Sequence, residues 1–163
     1  MKLGRPSEAL SDYREALKRT RLPEPDLVLE AADALAGQGC EAEAVRVLEA
    51  GVEKLGAVPA FVLRLIDLEI GAKDFNAALA RVEVMRQSAP RPEPWMARRA
   101  SILAQQGHIG DSRAAWQELI KHLAALPAAE RGSHAMSTLI EESRQALASL
   151  ASQQDISPPP PAP

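Results

Sequence analysis

Apolar residues return along this chain at the spacing of one helical face, in runs of about a dozen residues broken by glycine or proline. In LVLEAADALA, Leu27, Val28, Ala31, Ala32 and Leu35 share one stripe, with Asp26 placed ahead of it as the expected N-cap and Gly37 and Gly39 ending it. After Cys40, the segment EAEAVRVLEAGVEKLG puts Ala44, Val45, Leu48, Val52 and Leu55 on its inner side, and Gly56 falls where a helix end favours a left-handed residue. Residues 59–90 repeat this design: Phe61, Val62, Leu65 and Ile66, a turn over Gly71 to Asp74, then Ala78, Val82 and Met85. Residues 93–126 do so again, with Trp95, Met96, Ala100 and Leu103, a turn near Gly107 and Gly110, then Ser112, Trp116, Leu119 and Leu123. The pattern therefore predicts three helical hairpins.

The hairpins keep a period. Ala44, Ala78 and Ser112 are 34 residues apart, Ala9 sits 35 before the first, and each is followed four positions later by a bulky residue: Tyr13, Leu48, Val82 and Trp116. Pro25 and Pro59 keep the same interval, which is that of a stacked helical hairpin. A lone hairpin buries too little apolar surface to offset the roughly 1–2 kcal/mol of ordering entropy per residue, so such units are expected to stack. Small residues (Ala32, Ala44, Ala100, Ser112) let paired helices approach.

The two ends differ from the middle. Residues 4–24 match only a second helix, through Ala9, Tyr13 and Ala16, and the first helix they would pack on is expected upstream of Met1. Either a longer parent protein or another chain would then cover this strip, giving a candidate interface at Ala9, Tyr13 and Ala16 and a route to self-association. From 127 to 150 the chain predicts a capping helix, with Met136, Leu139, Ile140, Leu147 and Leu150 inward and Glu141, Glu142, Arg144 and Gln145 outward. Residues 151–163, rich in proline, are expected to be a disordered tail.

In register and period these units resemble tetratricopeptide repeats, whose pattern places large residues near positions 4, 7 and 11 and small ones at 8, 20 and 27. In residues 25–58 those positions fall on Val28, Ala31, Leu35, Ala32, Ala44 and Gly51. Departures occur at Ile66 and Glu69 in residues 59–92, and at Arg99, which stands where a large apolar residue is expected, in residues 93–126. The resemblance covers residues 4–126 and implies an all-α fold, a right-handed α-α superhelix of about three and a half units with a C-terminal capping helix. It also implies a protein-interaction scaffold whose first helices line a concave groove.

Composition adds mainly exclusions. The 163 residues suit one domain with a real core, and five aromatic residues leave alanine, leucine and valine to fill it. A net charge of -3, with 14 arginines and 5 lysines scattered along the chain, gives no basic footprint for nucleic acid. No stretch has the roughly 18 apolar residues of a membrane span, and Met1 to Leu10 lacks the apolar core of a signal peptide. The expectation is a soluble chain, cytoplasmic by default, or exported where a signal precedes it.

Groove positions implied by the resemblance include Leu29, Asp33, Leu63, Asp67 and Ser101. Asp33 and Arg64 are 31 residues apart, as are Asp67 and Arg98, which sets each acid beside an arginine of the following first helix. These pairs are open to two readings: ion pairs that fix register between repeats, or a polar ladder that holds a peptide. The lysine and asparagine pattern with which chaperone-binding members of the family grip a terminal carboxylate is lacking. The expected partner is thus another protein or peptide, with a structural subunit joined through the N-terminal face or convex surface as the alternative. His108, His122, His134 and Cys40 do not pair at metal-site spacing, and no nucleophile, base and orienter constellation or phosphate loop is evident, so neither catalysis nor a cofactor is expected.

Overall fold

The computed structural model describes Glu15 and residues 23–155, so Ala9, Tyr13 and Ala16 lie outside the described residues. Among the described residues from 23 onward, eight helices follow one another: α1 (Pro25–Ala36), α2 (Glu41–Leu55), α3 (Pro59–Gly71), α4 (Phe75–Ser88), α5 (Glu93–Gln105), α6 (Ile109–Ala125), α7 (Ala128–Arg131) and α8 (His134–Asp155). Among the described residues there is no strand. The chain forms two compact units that divide between Asp74 and Phe75, inside the segment 59–92 read as one hairpin.

Helix starts follow proline chemistry. Pro25, Pro59 and Pro94 each occupy the first or second helical position, where an absent N–H costs no hydrogen bond and the fixed φ suits the helix. This displaces the expected cap of α1: Glu24 holds the N-cap position, and Asp26 lies inside the first turn. There its carboxylate complements the positive end of the helix dipole without capping it.

Helix ends share one turn. Cys40 N–H donates to the Leu35 carbonyl (3.0 Å), Asp74 N–H to Glu69 (2.8 Å) and His108 N–H to Leu103 (2.9 Å), the long back-bond of a Schellman closure. The residue before each donor has positive φ: Gly39 at 74°, Lys73 at 61° and Gly107 at 87°. These three positions repeat at the 34-residue interval of the small residues, and at the middle one a lysine takes a conformation that disfavours a Cβ.

In the first unit α2 packs against both α1 and α3. Val28, Ala32 and Leu35 of α1, Ala44 and Leu48 of α2, and Phe61, Leu65 and Leu68 of α3 form one core. Gly51 shows how close the approach is: a Cβ there would lie 2.8 Å from Val28 Cγ1 and 3.1 Å from Phe61 Cε2. The repeat pattern wants a small residue at this step because two other helices already fill the space.

In the second unit α5 packs against α4 and α6, and α8 packs chiefly on α6. Its core gathers Met96, Ala100 and Leu103, then Ala115, Trp116, Leu119 and Leu123, then Met136, Leu139 and Leu150. Ser112 takes the place of alanine at the α5–α6 approach and stays fully buried because its Oγ donates to the Ala100 carbonyl (2.8 Å). Trp95 and Trp116 are buried. Along α8, Glu141, Glu142, Arg144 and Gln145 are exposed, as the capping pattern predicts, while Ser143 is buried and donates to the Leu139 carbonyl (2.6 Å). Arg113 of α6 also donates to the Leu150 carbonyl (3.2 Å). This last helix runs to Asp155, five residues beyond the expected end at 150, because ASQQD contains no helix breaker.

Candidate functional site

The predicted groove positions of the first unit lie on α1 and α3. Leu29 is half-buried and Asp33 exposed on α1; on α3, Arg64 is half-buried and Asp67 exposed. Arg64 Nε donates to Asp33 Oδ1 at 2.5 Å, which ties α3 to α1 across 31 residues of sequence. Beside this pair Leu63 is 42% exposed, one of two large hydrophobic side chains open to solvent among the described residues. The other is Val84 on α4.

Arg98 and Ser101 belong to the second unit, on α5, and both are half-buried. Ser101 lines a shallow depression of about 320 Å³ with Ala104 and Gln105, facing Ala146, Ser149 and Leu150 of α8. The last helix therefore closes on the side of α5 that carries Ser101.

A larger cleft, not foreseen from the sequence, occupies the second unit. It measures about 570 Å³ and is lined by Leu79, Ala80, Glu83 and Arg86 of α4, Met96, Arg99 and Leu103 of α5, and Ala115 and Glu118 of α6. An adjoining depression of about 330 Å³ shares Arg86, Met96 and Glu118 and extends past Lys121 and His122. The sequence signal for it was Arg99, the charged residue at an apolar step of the pattern. Arg99 lines the cleft at a step where the pattern wants a large apolar residue.

Charges in this cleft are unequally engaged. Arg86 holds Glu83 with two hydrogen bonds, Nε to Oε2 at 2.9 Å and Nη2 to Oε1 at 2.7 Å, and Gln87 Nε2 donates to the same Oε1 (2.7 Å). These bonds, Arg86 first and Gln87 second, hold the Glu83 carboxyl down at about 2, aided by the charges of Arg86 and Arg99 and opposed by partial burial. The Arg86 guanidinium is pushed further up by the same pairing. Arg99, half-buried at the cleft wall, makes no hydrogen bond among the described residues.

The histidines and the cysteine have local roles. His122 Nε2 lies 3.3 Å from Oε1 of Glu93, a buried carboxylate that links the start of α5 to the end of α6. His108 is exposed with Asp111 at 3.8 Å, and Cys40 is half-buried in the α1–α2 turn with its Sγ 4.0 Å from the Gln38 carbonyl. Among the described residues, no group of three or more His, Cys, Asp or Glu side chains is placed to hold a metal. No helix among them is long and apolar enough to cross a membrane.

Solved structures decide the class of this fold. A structure titled "MamA RS-1 ArsTM double mutant" superposes with a TM-score of 0.55 at 18% identity, covering 94% of this chain and 89% of that one. A second, "MamA 41-end from Desulfovibrio magneticus RS-1", gives 0.55 at 15% identity, with 95% and 89% covered. This chain has the TPR-like helical-repeat fold. At these identities the likeness is one of fold. No family model matches the sequence, and no curated protein does.

Proposed function

We propose that this chain is a member of the tetratricopeptide repeat family and works as a non-catalytic scaffold that holds a protein or peptide segment along the first helices of its repeats. The observation that carries the reading is Leu63: a large apolar side chain left open beside an ion pair on the face where the repeat pattern puts its ligand. Leu29 on α1 is half-buried against the core of the first unit, and Asp33, Arg64 and Asp67 on the two helices offer polar groups that suit an amide backbone or a basic side chain. The ion pair occupies one oxygen of Asp33 and one N–H of Arg64, so register-fixing and ligand-holding roles are compatible. In the second unit, Arg98 and Ser101 hold the corresponding steps of α5. The helical-repeat fold shared with the two MamA structures is compatible with this reading.

The test uses the full chain as bait in its native lysate, beside Asp33→Arg/Asp67→Arg and Tyr13→Glu variants whose helicity is checked by circular dichroism. A partner retained by Tyr13→Glu and lost by the double variant supports the strip on α1 and α3. A partner lost only by Tyr13→Glu contradicts it and moves the interface to the N-terminal segment.

A further inference from the structure

The cleft walled by α4, α5 and α6 shares no residue with the α1–α3 strip, and its chemistry is different. Its floor and walls are apolar at Leu79, Met96, Leu103 and Ala115. Its rim carries two cations, and these are not equivalent. Arg86 spends its fork on Glu83, whose two oxygens accept from Arg86 and Gln87. Arg99 is half-buried, makes no hydrogen bond to the described residues and meets Glu83 only through its charge. A guanidinium in that state favours a carboxylate, which its planar fork binds through two parallel hydrogen bonds. The volume of about 570 Å³ lies within the range of ligand-binding clefts and admits more than a single carboxylate.

We infer that this cleft is a second binding site, which takes the acidic side chain of a protein segment on Arg99 while a neighbouring apolar side chain enters between Leu79, Met96 and Leu103. Selectivity for a carboxylate over an amide follows from the charge. Glu83 and Glu118 balance the two arginines of the lining, so the preference rests on Arg99 itself, whose fork donates stronger bonds to a charged carboxylate than to a neutral amide oxygen.

The experiment titrates acetyl-Leu-Glu-Leu-amide into the isotopically labelled full chain and follows backbone amide shifts, with acetyl-Leu-Gln-Leu-amide as its neutral partner. The expected result is saturable shifts confined to residues 79–86, 96–103 and 115–118, with the glutamine peptide weaker by about tenfold, equivalent to 1.4 kcal/mol. Arg99→Leu, which supplies the apolar residue of the repeat pattern, abolishes the shifts while buried Trp95 and Trp116 keep their native fluorescence. Arg99→Gln, which keeps the length without the charge, gives the same loss and serves where the leucine variant repacks. Equal binding of the two peptides, binding retained by both variants, or no shift up to about 10 mM peptide, well above the millimolar affinities of weak ligands, overturns the proposal.

Discussion

Ala31 and Arg99 stand at the same step of the repeat pattern, two periods apart, and the two units treat that step in opposite ways. On α1, Ala31 is fully buried. On α5, Arg99 is half-buried at the wall of a cleft of about 570 Å³, with an ion pair on the facing helix. Both units use the same small residues to bring paired helices together, Ala32 with Ala44 in one and Ala100 with Ser112 in the other. At this step one unit buries its side chain fully and the other leaves it at the wall of a cleft. A repeat can thus keep its packing while its chemistry changes.

The sharpest way to break this comparison is to exchange the residues. Ala31→Arg forces an unpaired charge onto a fully buried position and is expected to cost about 4 kcal/mol or more, read as loss of far-UV helicity at a lower urea midpoint. Arg99→Leu is expected to stay within about 1 kcal/mol of the parent, because a volume-filling apolar residue replaces a half-hydrated one. Of intermediate size is Ala44→Leu, which overpacks the α1–α2 approach and costs about 1–3 kcal/mol; an unchanged midpoint counts against the packing described.

Two smaller effects sharpen the comparison further. Lys73 stands where Gly39 and Gly107 close the other turns, and the left-handed region costs a residue with a Cβ roughly 1–2 kcal/mol. Against this, glycine loses more entropy on folding, so Lys73→Gly is expected to raise stability by about 0.5–1 kcal/mol, whereas Gly107→Ala lowers it. Smallest is the Glu83 pair. Its carboxyl titrates at about 2 rather than 4.5, so its contribution is complete above the ordinary value and is lost as pH falls from there toward 2. With both side chains more than a third exposed, screening holds that contribution below about 1 kcal/mol, and Glu83→Gln flattens the acid limb of stability across that window.

The hairpins were legible because their signals are local. Glycine or a stand-in at 39, 73 and 107, proline at helix starts and small residues at the helix approach each act within a few residues. The Asp33–Arg64 bond was readable too, since a fixed repeat converts a sequence interval into proximity. Its companion pair, Asp67 and Arg98, falls on different units. Asp26 was misplaced as a cap because the pattern of apolar residues does not register that Pro25 already opens the helix. The length of α8 beyond Leu150 was hidden for a similar reason: a polar helix end and a polar tail have the same composition. Arg99 was visible as a departure, but the cleft it lines depends on three helices converging, which no single segment records. The strip at Ala9, Tyr13 and Ala16 lies outside the described residues.

The most direct test of the exchange between core and site is equilibrium unfolding of Arg99→Leu beside the parent chain, followed by the fluorescence of Trp95 and Trp116, both buried in the second unit. A stability within about 1 kcal/mol of the parent, with the cleft's peptide binding gone, is the predicted result. A loss of about 2 kcal/mol or more, in the range of a disrupted core, shows that Arg99 is a structural member of the packing and contradicts the account.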